Sequence, residues 1–380
     1  MLMSEFDVII VGAGIAGASL AYRLAPRARV LLLEMEDQPG FHATGRSAAF
    51  FAETYGNETI RRITVASRAF YENPPDGFVD VPLLEPCGAL HIGREDQAAA
   101  LDEHYETTRA LAPSIERREG GFAREKAEVL DPDTITGCVW EPDSQAINVA
   151  ELHQGFLKGA KLAGCDLATR AEVTSLTRSE GIWRVETSAG VYRAAIVVNA
   201  AGAWAGELAR KAGALAIAVT PYRRSVCVLD PAKAEGIKGD VSSWPLVIDV
   251  DEEFYFKPSG GTIWLSPADE TPSPPCDAQP DELDLAIAVD RLQSASSIRV
   301  RRIEHSWAGL RTFAEDRTPV VGFDPSCEGF FWLAGQGGYG IQTSPALSEI
   351  AAHLMGYGDM PNGLDAGEDV IAALDPGRFS

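Results

Sequence analysis

Residues 6–34 read FDVIIVGAGIAGASLAYRLAPRARVLLLE, and this stretch decides the fold. The β-branched run from Val8 to Val11 predicts a strand, and the glycine-rich turn after it leads into a helical pattern. A second apolar run follows and ends at Glu34. Strand, turn, helix and second strand together predict one βαβ unit.

The turn of this unit carries the spacing GxGxxG at Gly12, Gly14 and Gly17. The first glycine allows a tight turn, the second lets the backbone approach a pyrophosphate, and the third lets the helix lie close to the strand. Glu34 follows Gly12 by 34 − 12 = 22 positions, where a carboxylate accepts hydrogen bonds from a ribose. The sequence therefore predicts a dinucleotide site.

Two features favour FAD over a nicotinamide nucleotide. Further βα units at intervals of about 30 residues do not follow the first one. Instead the chain continues with GFHATGRSAAFF at residues 40–51, where we expect a helix to begin at about Gly45 to Ser47. Its backbone donors and the side chain of Arg46 would give a second phosphate contact, as an extended dinucleotide requires.

Two later strand-to-helix turns are also rich in small residues. AIVVNAAGAWAGELA at 195–209 turns into a helix at Trp204, and GFFWLAGQGGYGIQTS at 329–344 predicts a helix from about Ile341. The dipole of that last helix would stabilise negative charge on a reduced flavin. These turns predict a discontinuous FAD-binding domain of residues 1–80, 147–220 and 306–380.

The remaining segments, 81–146 and 221–305, hold alternating apolar patterns that predict a substrate-binding domain with a mainly antiparallel sheet. Helices are expected near 94–111 and 281–295. The predicted fold class is α/β, a Rossmann-like FAD-binding domain joined to this second β-sheet domain. A ligand cavity is expected where the two domains meet. The proline-rich, acidic stretch 266–282 is expected to be a surface loop that covers it.

The composition excludes several classes of protein. The net charge of −22 disfavours nucleic acid and anionic membranes as partners. Neither a signal peptide nor an apolar run of about 18 residues is apparent, which predicts a cytoplasmic protein without a transmembrane segment. The six cysteines show no CxxC pair and no clustering with histidines, so we expect reduced thiols and no metal site.

One charged residue stands out in SWAGLRTF, residues 306–313. Arg311 lies in an apolar strand, where a guanidinium needs either an internal acid such as Glu304 or Glu315, or an anionic ligand. Arg223 and Arg224 are adjacent in a predicted strand, so at most one of them enters a cavity. Tyr255 is either a packing aromatic or a ligand contact. Two arginines and a tyrosine would hold a carboxylate firmly.

These stretches resemble the D-amino acid oxidase superfamily of flavoproteins, and within it the bacterial D-arginine dehydrogenases. GAGIAGAS, TGRSAA, VNAAGAW, EHSWAGLR and QGGYGIQTS carry the resemblance, which covers essentially the whole chain. It implies that a small-molecule amino acid is bound by Tyr55, Arg224, Tyr255, Arg311, Gly338 and Gln342. It implies FAD contacts at Gly12, Gly14, Ile15, Ala16, Gly17, Glu34, Met35, Gly45, Arg46, Ser47, Ala48, Val173, Ala201, Gly202, Trp204, Gly338, Tyr339, Gly340, Ile341, Gln342 and Thr343.

Two departures from the D-arginine dehydrogenases bear on the substrate. Phe50 and Ala89 stand where those enzymes have a histidine and a glutamate, the latter receiving the substrate guanidinium. An apolar pocket at these positions would favour neutral D-amino acids. Relatives that bind flavin covalently use a cysteine close to the Arg311 strand, and none is expected there, so the FAD should be non-covalent.

The resulting functional prediction is oxidative deamination of a D-amino acid by hydride transfer from Cα to flavin N5, giving an imino acid and then a 2-keto acid and ammonia. Three alternatives stay open: oxidation of a secondary amine such as sarcosine or proline, a flavin-binding subunit of a larger complex, and oxidation of a 2-hydroxy acid. The last usually needs a histidine base, and no histidine other than His305 is expected near the cavity. The electron acceptor is a quinone, an electron-transfer protein or oxygen.

Overall fold

The computed structural model describes residues 5–364 and 367–380, which form twenty strands, nine α-helices and three short 3₁₀ helices. The strands are β1 (Glu5–Val11), β2 (Val30–Leu33), β3 (Phe50–Phe51), β4 (Leu84–Pro86), β5 (Ala89–Gly93), β6 (Glu116–Glu119), β7 (Gly137–Glu141), β8 (Gln145–Ile147), β9 (Asp166–Ala168), β10 (Val173–Ser179), β11 (Ile182–Thr187), β12 (Gly190–Asn199), β13 (Val219–Leu229), β14 (Leu246–Asp249), β15 (Tyr255–Ser259), β16 (Thr262–Ser266), β17 (Thr271–Pro272), β18 (His305–Ala314), β19 (Val320–Phe323) and β20 (Phe330–Ala334). The helices are α1 (Ile15–Leu24), α2 (Glu58–Glu72), α3 (Ala98–Thr108), α4 (Gly120–Lys126), α5 (Val149–Leu162), α6 (Ala205–Ala212), α7 (Glu282–Ala295), α8 (Gly340–Leu354) and α9 (Glu368–Leu374). The 3₁₀ helices span Glu95–Gln97, Gly202–Trp204 and Pro376–Phe379.

The first sheet carries the nucleotide turn. Strand β1 lies at its centre and pairs in parallel with β2 and β12, and the strand order is β10-β11-β12-β1-β2-β9, with β20 beside β12 and β19 beside β20. Val8 and Ile10 pack into the core on one face, against α1 and α8, while Ile9 and Val11 pack into the core on the other. Burial on both faces explains why the strand is a continuous apolar run. The predicted βαβ unit is confirmed.

The second sheet has nine strands in the order β17-β13-β16-β15-β14-β5-β7-β6, with β18 also paired to β13. Its pairs are antiparallel except β14 with β5, as the sequence predicted. Alternation along β13 sorts its side chains between the two faces. Cys227 and Leu229 pack into a core with α4 and α7, whereas Arg224 and Val226 face the first domain. The fold class is confirmed. A small sheet of β3, β8 and β4 joins the two parts.

Two local expectations differ from the structure. The stretch around Gly45 to Ser47 forms hydrogen-bonded turns, not a helix, and the next helix, α2, begins at Glu58. The division at 305/306 separates β18 from the sheet to which it belongs, because β18 pairs with β13 from His305 to Ala314. The apolar alternation of β18 did not reveal which sheet it joins. The helices expected near 94–111 and 281–295 are present as α3 and α7.

Among the described residues, no helix combines the length and the apolar character that crossing a membrane requires.

The nucleotide turn leaves no room for a side chain at two glycines. Gly12 has φ +104°, and a Cβ there would lie 2.4 Å from the carbonyl oxygen of Ala200. A Cβ at Gly17 would lie 1.9 Å from the carbonyl oxygen of Gly12. Both contacts are far below van der Waals distance, so the helix can approach the turn only where these residues are glycine.

We predict that Gly17→Ala lowers the thermal midpoint and the FAD content of the purified protein, because the methyl group pushes α1 away from the turn. Gly206→Ala is the matched control, since Gly206 is also helical and an added Cβ meets only a methyl of Val219 at 3.5 Å. The control should keep its FAD and gain up to about 1 kcal/mol of stability. Equal FAD content and midpoints in the two variants would contradict the close-packing argument.

Candidate active site

A long cleft runs from the nucleotide turn to the strand that carries Arg311. We call it the cofactor cleft, and most of the residues predicted to contact FAD line it: Gly12, Gly14, Ile15, Ala16, Glu34, Met35, Arg46, Ser47, Ala48, Val173, Ala201, Gly202, Trp204, Gly338, Gly340 and Ile341. Five others do not: Gly17 lies in helix α1 and Gly45 in a turn, Tyr339 and Gln342 line a second cavity, and Thr343 is buried with its hydroxyl donating to the carbonyl of Tyr339.

Glu34 closes one end of the cofactor cleft at the end of β2. Its carboxylate accepts hydrogen bonds from the backbone N–H of Ala13 at 3.1 Å and of Glu36 at 3.0 Å. Burial raises the pKa of Glu34, and these hydrogen bonds oppose the rise. A carboxylate held rigidly beside the glycine turn is positioned to accept the hydroxyls of a ribose.

Arg46 has a different role from the one its sequence context suggested. Its guanidinium donates to the carbonyl oxygens of Ala278 at 3.1 Å and Ala308 at 2.9 Å, and it forms an ion pair with Asp277. These protein acceptors occupy the donors that were expected to reach a phosphate. Arg46 therefore fastens the proline-rich loop to β18, and Cys276 of this loop lines the cleft.

The cleft fits an extended dinucleotide. Helices α1 and α8 both begin on it, and neither N-cap residue, Gly14 or Tyr339, supplies a side-chain cap. The backbone N–H of Ile15 is taken by the hydroxyl of Thr44 at 2.9 Å, a contact that the sequence did not reveal. The two helix N-termini lie close together, since a Cβ at Gly340 would lie 3.8 Å from a methyl carbon of Ile15, and both present positive dipole ends to the cleft.

A second cavity of about 310 Å³, the substrate cavity, opens from the far end of the cofactor cleft. The two spaces share their wall at Ser47, Ala48, Arg224, Tyr255, Arg311, Gly338 and Ile341. The structure brings nearly all of the predicted substrate contacts onto this cavity: Phe50, Tyr55, Arg224, Tyr255, Arg311, Gly338 and Gln342. Residues from both domains thus surround one small space.

Arg311 has no acid partner in the described part of the chain. Its nearest polar contact is the hydroxyl of Tyr55, 3.3 Å from Nη1, and neither Glu304 nor Glu315 pairs with it. Burial lowers the pKa of this guanidinium, but the oxygens of Tyr55 and Tyr255 and the carboxylate of Glu252, which also lines the substrate cavity, outweigh that effect, so its pKa is raised. The side chain is therefore a cation that faces the cavity. A Cβ at Gly338 would lie 2.9 Å from Nη1, which places that backbone directly against it.

Arg224 lies on the same wall but is partnered. Its Nε donates to the carbonyl oxygen of Asp269 at 2.9 Å, and its Nη2 pairs with Glu270 at 3.1 Å. Arg223 points to the opposite face, where it pairs with Asp284 at 2.7 Å, as strand alternation predicted. Arg224 is therefore paired directly with an acid, whereas Arg311 has no acid within ion-pair distance among the described residues.

Ala89 is buried behind the cavity wall, in a small cluster with Phe50 and Tyr255, and does not line the cavity. The apolar part of the wall consists of Phe50, Ile248 and Val250. Beyond it the wall is polar, which the pattern at Phe50 and Ala89 did not predict.

Five polar residues on the substrate cavity were missed from the sequence: Thr54, Arg61, His91, His104 and Glu252. The expectation that no histidine other than His305 approaches the cavity was wrong, because His305 is exposed while His91 and His104 line the wall. His91 follows Ala89 by two positions on β5, so strand alternation places both on one face. This two-residue spacing could have predicted from the sequence that His91 lies on the same face as Ala89.

Gln342 and Tyr339 begin helix α8 at the cavity. The amide of Gln342 donates to the hydroxyl of Thr64 at 3.0 Å, and its oxygen accepts from the backbone of Ala52 at 3.4 Å. The ring of Tyr339 packs edge-on against Tyr55 with centroids 4.8 Å apart. These contacts hold Tyr55 beside Arg311 and leave little freedom in the wall.

A cleft for an extended dinucleotide that leads into a second, smaller cavity is the arrangement expected of a flavin-dependent oxidoreductase. The family model described as "FAD dependent oxidoreductase" matches residues 7–354, and the chain belongs to this family. Its cofactor is FAD.

The chain is similar to the glycine oxidase of Geobacillus kaustophilus, with 25% identity over 92% of this chain and 93% of that protein. It is 24% identical to human mitochondrial dimethylglycine dehydrogenase, and the match covers 98% of this chain but 44% of that longer protein. The solved structure of L-proline dehydrogenase from P. horikoshii has the same fold, with a TM-score of 0.82 at 21% identity over 100% of this chain and 98% of that one.

We predict that FAD is held without a covalent bond. Cys276 does line the cofactor cleft, contrary to the sequence expectation, so the prediction needs a direct test. Acid precipitation of the purified protein should release all of its flavin into the supernatant. A yellow pellet that loses its colour in Cys276→Ser would show a thioether bond and contradict the prediction.

Proposed function

We propose that this protein oxidises small amino acids that carry a free carboxylate, with neutral D-amino acids as its main substrates. The observation that supports this is the unpaired, charged guanidinium of Arg311 on the wall shared by the cofactor cleft and the substrate cavity. A buried cation without an acid is costly, and an anionic ligand removes that cost.

The carboxylate would bind between Arg311 and the hydroxyl groups of Tyr55 and Tyr255. Charge-assisted hydrogen bonds to a planar guanidinium fix both the position and the orientation of a carboxylate. Arg224 adds positive potential, which its ion pair with Glu270 reduces. With the acid group fixed at one end, the Cα–H bond can be held toward the flavin, and exclusion of water strengthens the clamp.

Bound FAD would supply the electron acceptor, with N5 as the atom that would receive the hydride from the substrate Cα. The amine loses one proton as the C=N bond forms, and water then adds to the imino acid and expels ammonia to give a 2-keto acid. No residue of the cavity has to act as a strong base, because the amine can transfer its proton to a water held by Tyr55.

The apolar part of the wall, at Phe50, Ile248 and Val250, supports a small uncharged side chain. Oxidation of N-substituted amino acids is the second candidate, because the relatives include a dimethylglycine dehydrogenase. The same carboxylate clamp serves both substrate types, so the nitrogen substituent and the Cα configuration must be tested directly.

We predict that anaerobic addition of small D-amino acids bleaches the flavin, while the matching L-amino acids do not. The panel contains glycine, D- and L-alanine, D- and L-valine, D- and L-proline, sarcosine, dimethylglycine and lactate, each followed by flavin absorbance. Faster bleaching by sarcosine or dimethylglycine would transfer the assignment to the second candidate. Bleaching by lactate would indicate a hydroxy acid oxidase, and no bleaching by any compound would favour a flavin-binding subunit.

We predict that Arg311→Met raises KM by about tenfold or more, or abolishes turnover, because a charge-assisted bond to the carboxylate is lost. FAD content should be unchanged, since Arg311 anchors the substrate and not the nucleotide. Arg223→Met is the control, because the neighbouring arginine faces away from the cavity and should leave KM within about twofold. Wild-type KM in Arg311→Met would refute the carboxylate assignment.

A further inference from the structure

The three side chains His91, His104 and Glu141 form a cluster at the substrate cavity that the proposed oxidation does not use. We propose that this cluster binds a divalent transition metal ion of the zinc class, with one coordination position open to the cavity. The inference goes beyond the proposed function and does not depend on it, because it follows from the geometry of the three side chains.

Three rigid elements bring the ligands together. In the pairing of β5 with β7, Ala89 lies opposite Glu141 and His91 lies opposite Val139, so His91 and Glu141 project from the same face of the sheet. Helix α3 packs on that face and contributes His104. Ligands on a strand pair and a helix are held more precisely than ligands on loops.

The two separations between histidine and glutamate ligand atoms are close to those of a tetrahedral site. The Nε2 atoms of His91 and His104 lie 3.1 and 3.3 Å from Oε1 of Glu141. In a tetrahedral zinc site with bonds of 2.0–2.1 Å, the edges between ligand atoms are about 3.3–3.4 Å. One ligand atom from each of the three side chains lies within 4.8 Å of the others, and the two imidazole rings have centroids 4.0 Å apart. The three side chains are thus close enough to contact one ion.

The surroundings of Glu141 resemble those of a ligating carboxylate. Its other oxygen, Oε2, accepts the hydroxyl of Thr54 at 2.7 Å and that of Ser144 at 3.3 Å, which leaves Oε1 directed at the histidines. Outer hydrogen bonds of this kind orient a ligand before the metal arrives.

The open position would face the substrate cavity, because His91 and His104 line its wall while Glu141 lies behind them. Arg61 lines the same wall, and its guanidinium has no hydrogen-bond or ion-pair partner in the described residues. A cation beside the metal disfavours a neutral fourth ligand and favours an anionic one. We therefore expect hydroxide or a carboxylate to complete the coordination shell.

The test uses the untagged holoenzyme, treated with a chelator, dialysed, and titrated with Zn²⁺ and with Co²⁺. Bound metal is measured by elemental analysis, and Co²⁺ reports tetrahedral geometry through its visible d–d absorption. The variants are His104→Ala and Glu141→Gln, and His305→Ala is the control because His305 is exposed and outside the cluster. Flavin content and circular dichroism verify that each variant is folded.

We expect one tight equivalent of metal per chain in the wild type and in His305→Ala, and affinity at least about 100-fold weaker in the two cluster variants. Zn²⁺ should also raise the thermal midpoint of the wild type and not that of Glu141→Gln. Wild-type protein that binds no metal, or binding that survives in both cluster variants, would overturn the proposal and leave a hydrogen-bonded His–Glu cluster only. These measurements do not involve turnover. The metal proposal can therefore fail while the proposed function holds, and the proposed function can fail while the metal proposal holds.

Discussion

The substrate side of this enzyme depends on a single electrostatic constraint, a half-buried guanidinium that has no acid within ion-pair distance among the described residues. Strand β18 is fixed along its ten residues by pairing with β13, so Arg311 cannot swing out to solvent. The hydroxyl of Tyr55 contacts it, and the backbone of Gly338 closes the other side. The protein keeps this costly arrangement at the junction of two cavities, where an anion can relieve it.

The two domains contribute unequal parts of the site. The first sheet and its glycine turns supply a long cleft on which two helix N-termini lie, whereas the second sheet supplies Arg224, Tyr255 and Arg311. Arg46 links the two domains. It lies in the turns that follow β2, and its guanidinium contacts Ala308 on β18 and two residues of the proline-rich loop, Asp277 and Ala278. Cofactor and substrate are thus brought together by the same contacts that join the domains.

The sequence predicted what local spacing determines. The βαβ unit, the three glycine-rich turns and the opposite orientation of Arg223 and Arg224 follow from patterns within a few residues, and the structure has them. It did not predict that Glu270 forms an ion pair with Arg224, that Arg46 donates to carbonyl groups, or that the ring of His104 on α3 contacts that of His91 on β5. These contacts join segments far apart in the chain. No periodicity reports them, because only the packing of whole elements brings the residues together.

The central claim is that Arg311 binds a carboxylate beside the flavin, and one titration tests it most directly. The oxidised holoenzyme is titrated with propionate and, separately, with propionamide, which has nearly the same shape but no charge, while the visible spectrum of the flavin is followed. We predict a saturable spectral change with propionate at every pH from 6 to 9, since the guanidinium stays protonated throughout, and no change with propionamide. Equal responses to the two compounds, or no response to propionate, would contradict the account.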